Sequence, residues 1–214
     1  MTQLDCQSRK TCSLAPVTLA LIGALLTWGL VWGAAAPQVG QPAPPFTVAD
    51  TGGKTWSLAE LKGKKVILEW TNDGCPYVRK HYGSGNMQTL QREATAAGYV
   101  WLTVISSAPG NQGYVSPTEA DRLTAERKAA PTAVLLDPQG TLGRAYGAKT
   151  TPHLYVIDAA GTLVYMGGID DRATTDPADI PGARNYVRQA IADLDAGRPL
   201  TAPVTRPYGC SVKY

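Results

Sequence analysis

Val66-Ile-Leu-Glu-Trp-Thr-Asn-Asp-Gly-Cys75-Pro-Tyr-Val-Arg-Lys-His81 is the stretch that decides the fold. An apolar, β-prone run (Val66–Trp70) empties into a polar turn (Thr71–Gly74). A cysteine and a proline then open a polar, helix-compatible segment. Proline is tolerated in the first helical turn, where its missing N–H would have had no partner. Cys75 therefore stands where a strand hands over to a helix. Unpaired backbone N–H groups and the positive end of the helix dipole gather there and favour an anion. A thiolate is such an anion, and it is the reactive form of cysteine. Arg79, Lys80 and His81 add positive charge nearby, while Asp73 opposes it. The bland alternative is a small buried residue, since free cysteine is among the most buried types. The placement favours a redox or nucleophilic centre.

Working outward, the 214 residues are 44% hydrophobic, enough for one well-filled core. A formal charge of +3, carried by scattered basic residues, is too weak to argue for nucleic acid. Arg9 and Lys10 precede an uncharged run from Thr11 to Trp32, then Gly33-Ala-Ala-Ala36-Pro37. A basic start, an apolar middle and small residues at a cut describe a secretory signal over 1–35, cleaved near Ala35. The run also approaches the ~20 residues that span a bilayer. An uncleaved anchor with its N-terminus in the cytoplasm is the alternative, and the only membrane contact expected. Both place the remainder outside the cytoplasm, in a periplasm or beyond. Cys6 and Cys12 lie in or before this segment, so the exported part keeps Cys75 and Cys210. An oxidising compartment with one possible pair permits a Cys75–Cys210 disulfide.

Residues 36–45 are proline-rich and read as an extended linker. Phe46–Ala49 and Lys54–Leu58 form a hairpin around Asp50-Thr-Gly-Gly53. Ser57-Leu-Ala-Glu60 caps a short helical turn that stops at Gly63, and Lys64–Asn72 is the first central strand. The helix after Cys75 breaks at Gly83-Ser-Gly85 and resumes from Asn86 to Gly98. Tyr99–Ser106 is a strand, Ser116-Pro-Thr-Glu119 opens a helix reaching about Ala130, and Thr132–Leu136 is a third strand. Leu142–Tyr146 forms one helical turn. His153–Asp158 and Leu163–Met166 make a second hairpin, and Asn185–Ala196 is the last helix. Strands alternating with helices imply parallel pairing, with the hairpin adding an antiparallel edge. The fold class is α/β: a central mixed sheet flanked by helices, preceded by an N-terminal β-hairpin.

That order, a cysteine between strand and helix, and Thr151-Pro152 just before a strand together resemble the thioredoxin fold. In that fold a cis proline faces the reactive cysteine, and Pro152 matches it; an ordinary trans proline starting a strand is the alternative. The closer resemblance is to the redoxin branch, the AhpC/TSA-like, peroxiredoxin-like proteins. It rests on Leu68–Tyr82, Gly85-Asn-Met-Gln88, Thr151–Asp158 and Gly209-Cys-Ser-Val-Lys-Tyr214. It implies a redoxin domain over 46–198 and an extended tail over 199–214 carrying Cys210. Val78 stands where thioredoxins place their second cysteine. Leu68 and Asn72 stand where peroxiredoxins place Pro and Thr/Ser, which weighs against efficient peroxidase chemistry.

The resemblance implies an exported thiol-based oxidoreductase without a cofactor. Cys75 attacks a peroxide or a protein or small-molecule disulfide, Cys210 resolves, and an exported thiol reductant regenerates the pair. Trp70, Pro76, Thr151, Pro152 and His153 line the partner site. Pro203 and Pro207 favour an extended tail that swings Cys210 to Cys75. Two rivals remain. Cys75, Cys210 and His153 offer thiolate and imidazole ligands for Cu(I) or Zn(II). A fixed Cys75–Cys210 disulfide would instead be structural, stabilising the domain by up to ~4–5 kcal/mol. His81, beyond one turn from Cys75, is expected on the surface, as are Asp170, Asp171, Asp176 and Asp179 in a solvated loop.

Overall fold

The computed structural model describes residues 36–214, so the signal or anchor expected over 1–35 lies outside the described residues. The expected hairpin is present as β1 (Thr47–Ala49) and β2 (Thr55–Ser57). Asp50 Oδ1 closes its turn by accepting from the N–H groups of Gly52 and Lys54. The Val66–Trp70 strand (β3) is buried along its whole length. It runs into α1 (Pro76–Gly83), which is followed by α2 (Asn86–Ala96) and β4 (Val100–Ile105). Gly85, in the left-handed conformation, separates the two helices at the expected break.

Next come α3 (Pro117–Glu126), β5 (Ala133–Leu136) and α4 (Thr141–Ala145). Ser116 caps α3 by accepting from the Glu119 N–H. That helix stops short of Ala130 because Lys128 turns left-handed and the Ala129 N–H bonds back to the Thr124 carbonyl. The chain continues through β6 (Thr150–Thr151), β7 (His153–Ile157), β8 (Leu163–Gly167) and α5 (Tyr186–Asp195) to β9 (Cys210–Ser211). The central sheet has the order β5-β4-β3-β7-β8. The pairs β3–β4 and β4–β5 are parallel, and β3–β7 and β7–β8 are antiparallel.

Side chains alternate across a strand with period two, and both faces of this sheet are covered. Ile67, Trp101, Leu154, Val156 and Tyr165 pack with Cys75, α1, α2 and α5 on one face. Val66, Leu68, Trp70, Leu102, Val104 and Tyr155 pack with Phe46, Leu142 and Tyr146 on the other.

Two terminal segments are docked where the sequence suggests freedom. The proline-rich stretch over 36–45 is extended, but Gly40 and Ala43 donate to the Leu163 and Gly161 carbonyls, and Gln41 accepts from the Leu163 N–H. The tail from Pro199 is also extended and is held throughout. Pro203 and Thr205 bond to Met166, β9 pairs antiparallel with β6, Val212 bonds to Lys149 and Lys213 to Ala108. The Tyr214 hydroxyl donates to the Ala148 carbonyl at 2.8 Å. The physical reason is the same for both segments: exposed strand edges carry unpaired N–H and C=O groups, and each segment satisfies them. No helix of the described residues is long and apolar enough to cross a membrane.

Candidate functional site

Cys75 has extended backbone geometry and stands immediately before α1, with Pro76 at the first helical position. It is fully buried. The Thr151–Pro152 bond is cis, and the Thr151 carbonyl lies 3.1 Å from Cys75 Sγ. Pairing of β6 with β9 sets Thr151 opposite Cys210. Gly209 makes that approach possible, because a Cβ there would collide with the Thr151 carbonyl oxygen, and its φ of +130° suits glycine. The result is contact between the two sulfurs, with the Cys210 thiol bonding to Cys75. Both cysteines are free thiols in this structure, the reduced form of the one pair that the sequence permits.

The electrostatics follow from this contact. Burial pushes the Cys75 thiol up, yet its acidity is net raised, with its pKa below the ordinary 9.0. The opposing hydrogen bonds come from the Cys210 thiol, the backbone N–H groups of Val78 and Cys210, and the Thr151 hydroxyl. The Thr151 carbonyl works the other way, since it accepts from the protonated thiol. Cys210 is pushed up to about 11 by burial and by the neighbouring Cys75 sulfur, with Lys213 opposing. The Cys75 thiol thus gives up its proton more readily than its partner does.

The cations expected to assist Cys75 are engaged elsewhere. Arg79 Nε donates to the Asp73 carbonyl at 2.9 Å. Lys80 is buried, and its Nζ donates to the Arg172 carbonyl and to Thr174 Oγ1 at 2.8 and 3.2 Å. His81 is fully buried rather than exposed, and burial lowers its imidazole to about 4 despite nearby Asp170. Hydrogen bonds, not cations, account for the lowered Cys75.

Other expected site residues divide. Pro76 follows Cys75 directly, and Thr151, whose carbonyl lies against the Cys75 sulfur, is joined to Pro152 by the cis bond. Trp70 does not border Cys75, because it follows Ile67 and Glu69 on the opposite phase of β3 and points into the far core. There its Nε1 donates to Ser106 Oγ at 3.0 Å. His153, the residue facing Trp70 across the β3–β7 ladder, is buried. Its Nδ1 accepts from the Lys149 N–H at 3.3 Å and lies 3.1 Å from the Tyr155 hydroxyl. Among the described residues no three Cys, His, Asp or Glu side chains converge as metal ligands, so the Cys75/Cys210/His153 set does not form. Asn72, at the position where peroxiredoxins carry a hydroxyl, spends its amide on the Gly74 N–H and the Gln112 carbonyl.

Two features escape a linear reading. Asp170 is buried instead of solvated, and it accepts from the Tyr208 hydroxyl at 2.5 Å. Glu69 is wholly buried beneath the helical face, where it accepts from Tyr82, Gln91, Trp101 and Thr103. A charged residue inside an apolar strand was the available signal for Glu69; nothing local marked Asp170.

Comparison with known proteins agrees with this geometry. The model of the AhpC/TSA family matches residues 39–166. The chain is 26% identical over 145 residues to the thioredoxin-like protein YneN of Bacillus subtilis, covering 67% of this chain and 80% of YneN. It is 30% identical over 112 residues to the thiol-disulfide oxidoreductase ResA of the same organism, covering 47% of this chain and 63% of ResA. A conserved protein of Geobacillus kaustophilus superposes with a TM-score of 0.70 at 23% identity, over 83% of this chain and 92% of that one. With the family match spanning more than half of its length around the Cys75 strand-to-helix junction, the protein belongs to the AhpC/TSA family, as a thioredoxin-like member similar to thiol-disulfide oxidoreductases.

Proposed function

We propose that the protein is an exported thiol–disulfide oxidoreductase in which Cys75 attacks and Cys210 resolves. The observation that carries this reading is the contact between an acidified, buried Cys75 and a Cys210 thiol delivered by the β6–β9 pairing. ResA, described as a thiol-disulfide oxidoreductase, supports the same reaction class. The Cys75 thiolate attacks one sulfur of a substrate disulfide, and the other sulfur leaves as a thiolate that takes up a proton. Deprotonated Cys210 then attacks the Cys75 sulfur of the mixed disulfide and expels the second substrate thiol. The substrate disulfide ends as two thiols, and the protein ends with a Cys75–Cys210 disulfide, which an exported thiol reductant returns to the dithiol. Thr151 and Pro152 border the sulfur and shape the ground where a protein disulfide docks. A disulfide is favoured over a peroxide because the Asn72 amide is already committed and no hydroxyl replaces it at that position. Export rests on the signal-like pattern over 1–35.

The test is treatment of the purified, reduced protein with glutathione disulfide, followed by peptide mass spectrometry. Wild type ends with a Cys75–Cys210 disulfide, Cys210→Ser accumulates glutathione on Cys75, and Cys75→Ser forms neither. Absence of the Cys75 adduct from Cys210→Ser would refute the assignment.

A further inference from the structure

Cys75 is buried beneath the tail that carries Cys210, so a substrate disulfide reaches it only when the tail lifts. The tail must then return for Cys210 to resolve. Among the contacts that hold it down, one made through side chains lies two residues before Cys210. The Tyr208 hydroxyl donates to Asp170 Oδ1 at 2.5 Å and lies 3.1 Å from His81 Nε2. Asn86 Nδ2 approaches His81 Nδ1 at 2.9 Å. With that amide donating, the ring proton sits on Nε2 and faces the Tyr208 oxygen, completing a directed chain from His81 through Tyr208 to Asp170.

His81 and Asp170 are both buried and Tyr208 is half-buried, so the two ends of this chain are shielded from competing water. Its supports are fixed. Asp170 Oδ1 also accepts from the Arg172 N–H, and Lys80 Nζ ties the Arg172 carbonyl and Thr174 to α1. The Tyr208 ring packs edge-on against Tyr77, 5.8 Å between centroids. A single helix therefore begins beside Cys75 and, at its other end, holds the anchor of the Cys210 tail.

We propose that His81, Asp170 and Tyr208 form a latch that governs whether the tail covers Cys75, with Tyr208 as a positioning residue for resolution by Cys210. The latch rests on the disulfide-exchange reading above. It makes opposite demands on two steps: a closed latch shields Cys75 from the incoming disulfide, then speeds resolution by keeping Cys210 in place.

That opposition gives the test. In the full-length, reduced protein, iodoacetamide alkylation is read at Cys75 by peptide mass spectrometry. In a second measurement, glutathione disulfide forms the Cys75 mixed disulfide, and release of glutathione by Cys210 is timed. Losing a hydrogen bond to a buried carboxylate is expected to move each rate by about tenfold or more. In Tyr208→Phe, Cys75 alkylates faster and glutathione release slows. Asp170→Asn, which keeps the side-chain shape, moves both rates in the same senses by a smaller factor and serves if Tyr208→Phe fails to fold. Rates that move together, or that do not move in correctly folded variants, overturn the latch. Glutathione release that persists in Cys210→Ser would refute the resolving role instead, and the alkylation arm would still report on the latch.

Discussion

Glu69 offers a quantitative test of how the core beneath the site is built. Its carboxyl is fully buried and accepts from the Tyr82 hydroxyl at 2.7 Å, Trp101 Nε1 at 2.8 Å, Gln91 Nε2 at 3.0 Å and Thr103 Oγ1 at 3.1 Å. Burial pushes its pKa above the ordinary 4.5, against the pull of those four donors. The unfolded chain titrates near the ordinary value, so between the two values the native state binds the proton more tightly. Stability from this group is therefore complete below the unfolded value and is lost as pH rises towards the folded one, at up to about 1.4 kcal/mol per pH unit.

Glu69→Gln keeps an acceptor for Trp101 and cannot ionise. Urea unfolding followed by tryptophan fluorescence, repeated at steps from about pH 4 to 8, should show the variant gaining on wild type as pH rises through this window. A difference that stays constant over that range would refute the raised carboxyl. Glu69→Leu tests the donors themselves: Trp101 Nε1 is then orphaned inside the core, at a cost of about 1–3 kcal/mol. The loss relative to wild type should be full below the ordinary carboxyl value and shrink as pH rises, because leucine, like glutamine, cannot ionise.

Gly209→Ala is expected to lift β9 from β6, because the new Cβ meets the Thr151 carbonyl and the backbone is held at φ +130°. At about 1–3 kcal/mol of local strain, Cys75 alkylation should quicken and the tail should become a site of limited proteolysis, while the domain stays folded. Trp70→Phe removes the bond to Ser106 and part of a buried ring on the face away from Cys75. It should lower stability by about 1–3 kcal/mol in denaturant titration and leave the alkylation rate of Cys75 unchanged.

Several features of the site were legible because they are local. The apolar run over Val66–Trp70, the turn and Pro76 place Cys75 at a helix start, since strand burial and helix capping are read within a few residues. The hairpins, the capping at Ser116 and the break at Gly85 have local causes too. Trp70 was misplaced for a subtler reason. Its burial is evident from the run, but the face it takes depends on which side of the sheet receives α1, which no short window contains.

What the sequence determined by itself is the order of elements, the α/β thioredoxin-like class, and the choice of Cys75 and Cys210 as the thiols to watch. Only the tertiary structure decided that the tail lies down instead of swinging free, that His81 and Asp170 are buried, and that His153 turns to Tyr155 rather than to the sulfurs. Each of these outcomes depends on a segment distant in the chain covering an edge or a polar side chain. Burial and hydrogen-bond partnership belong to such pairs of segments, and a residue's own neighbours in sequence do not specify them.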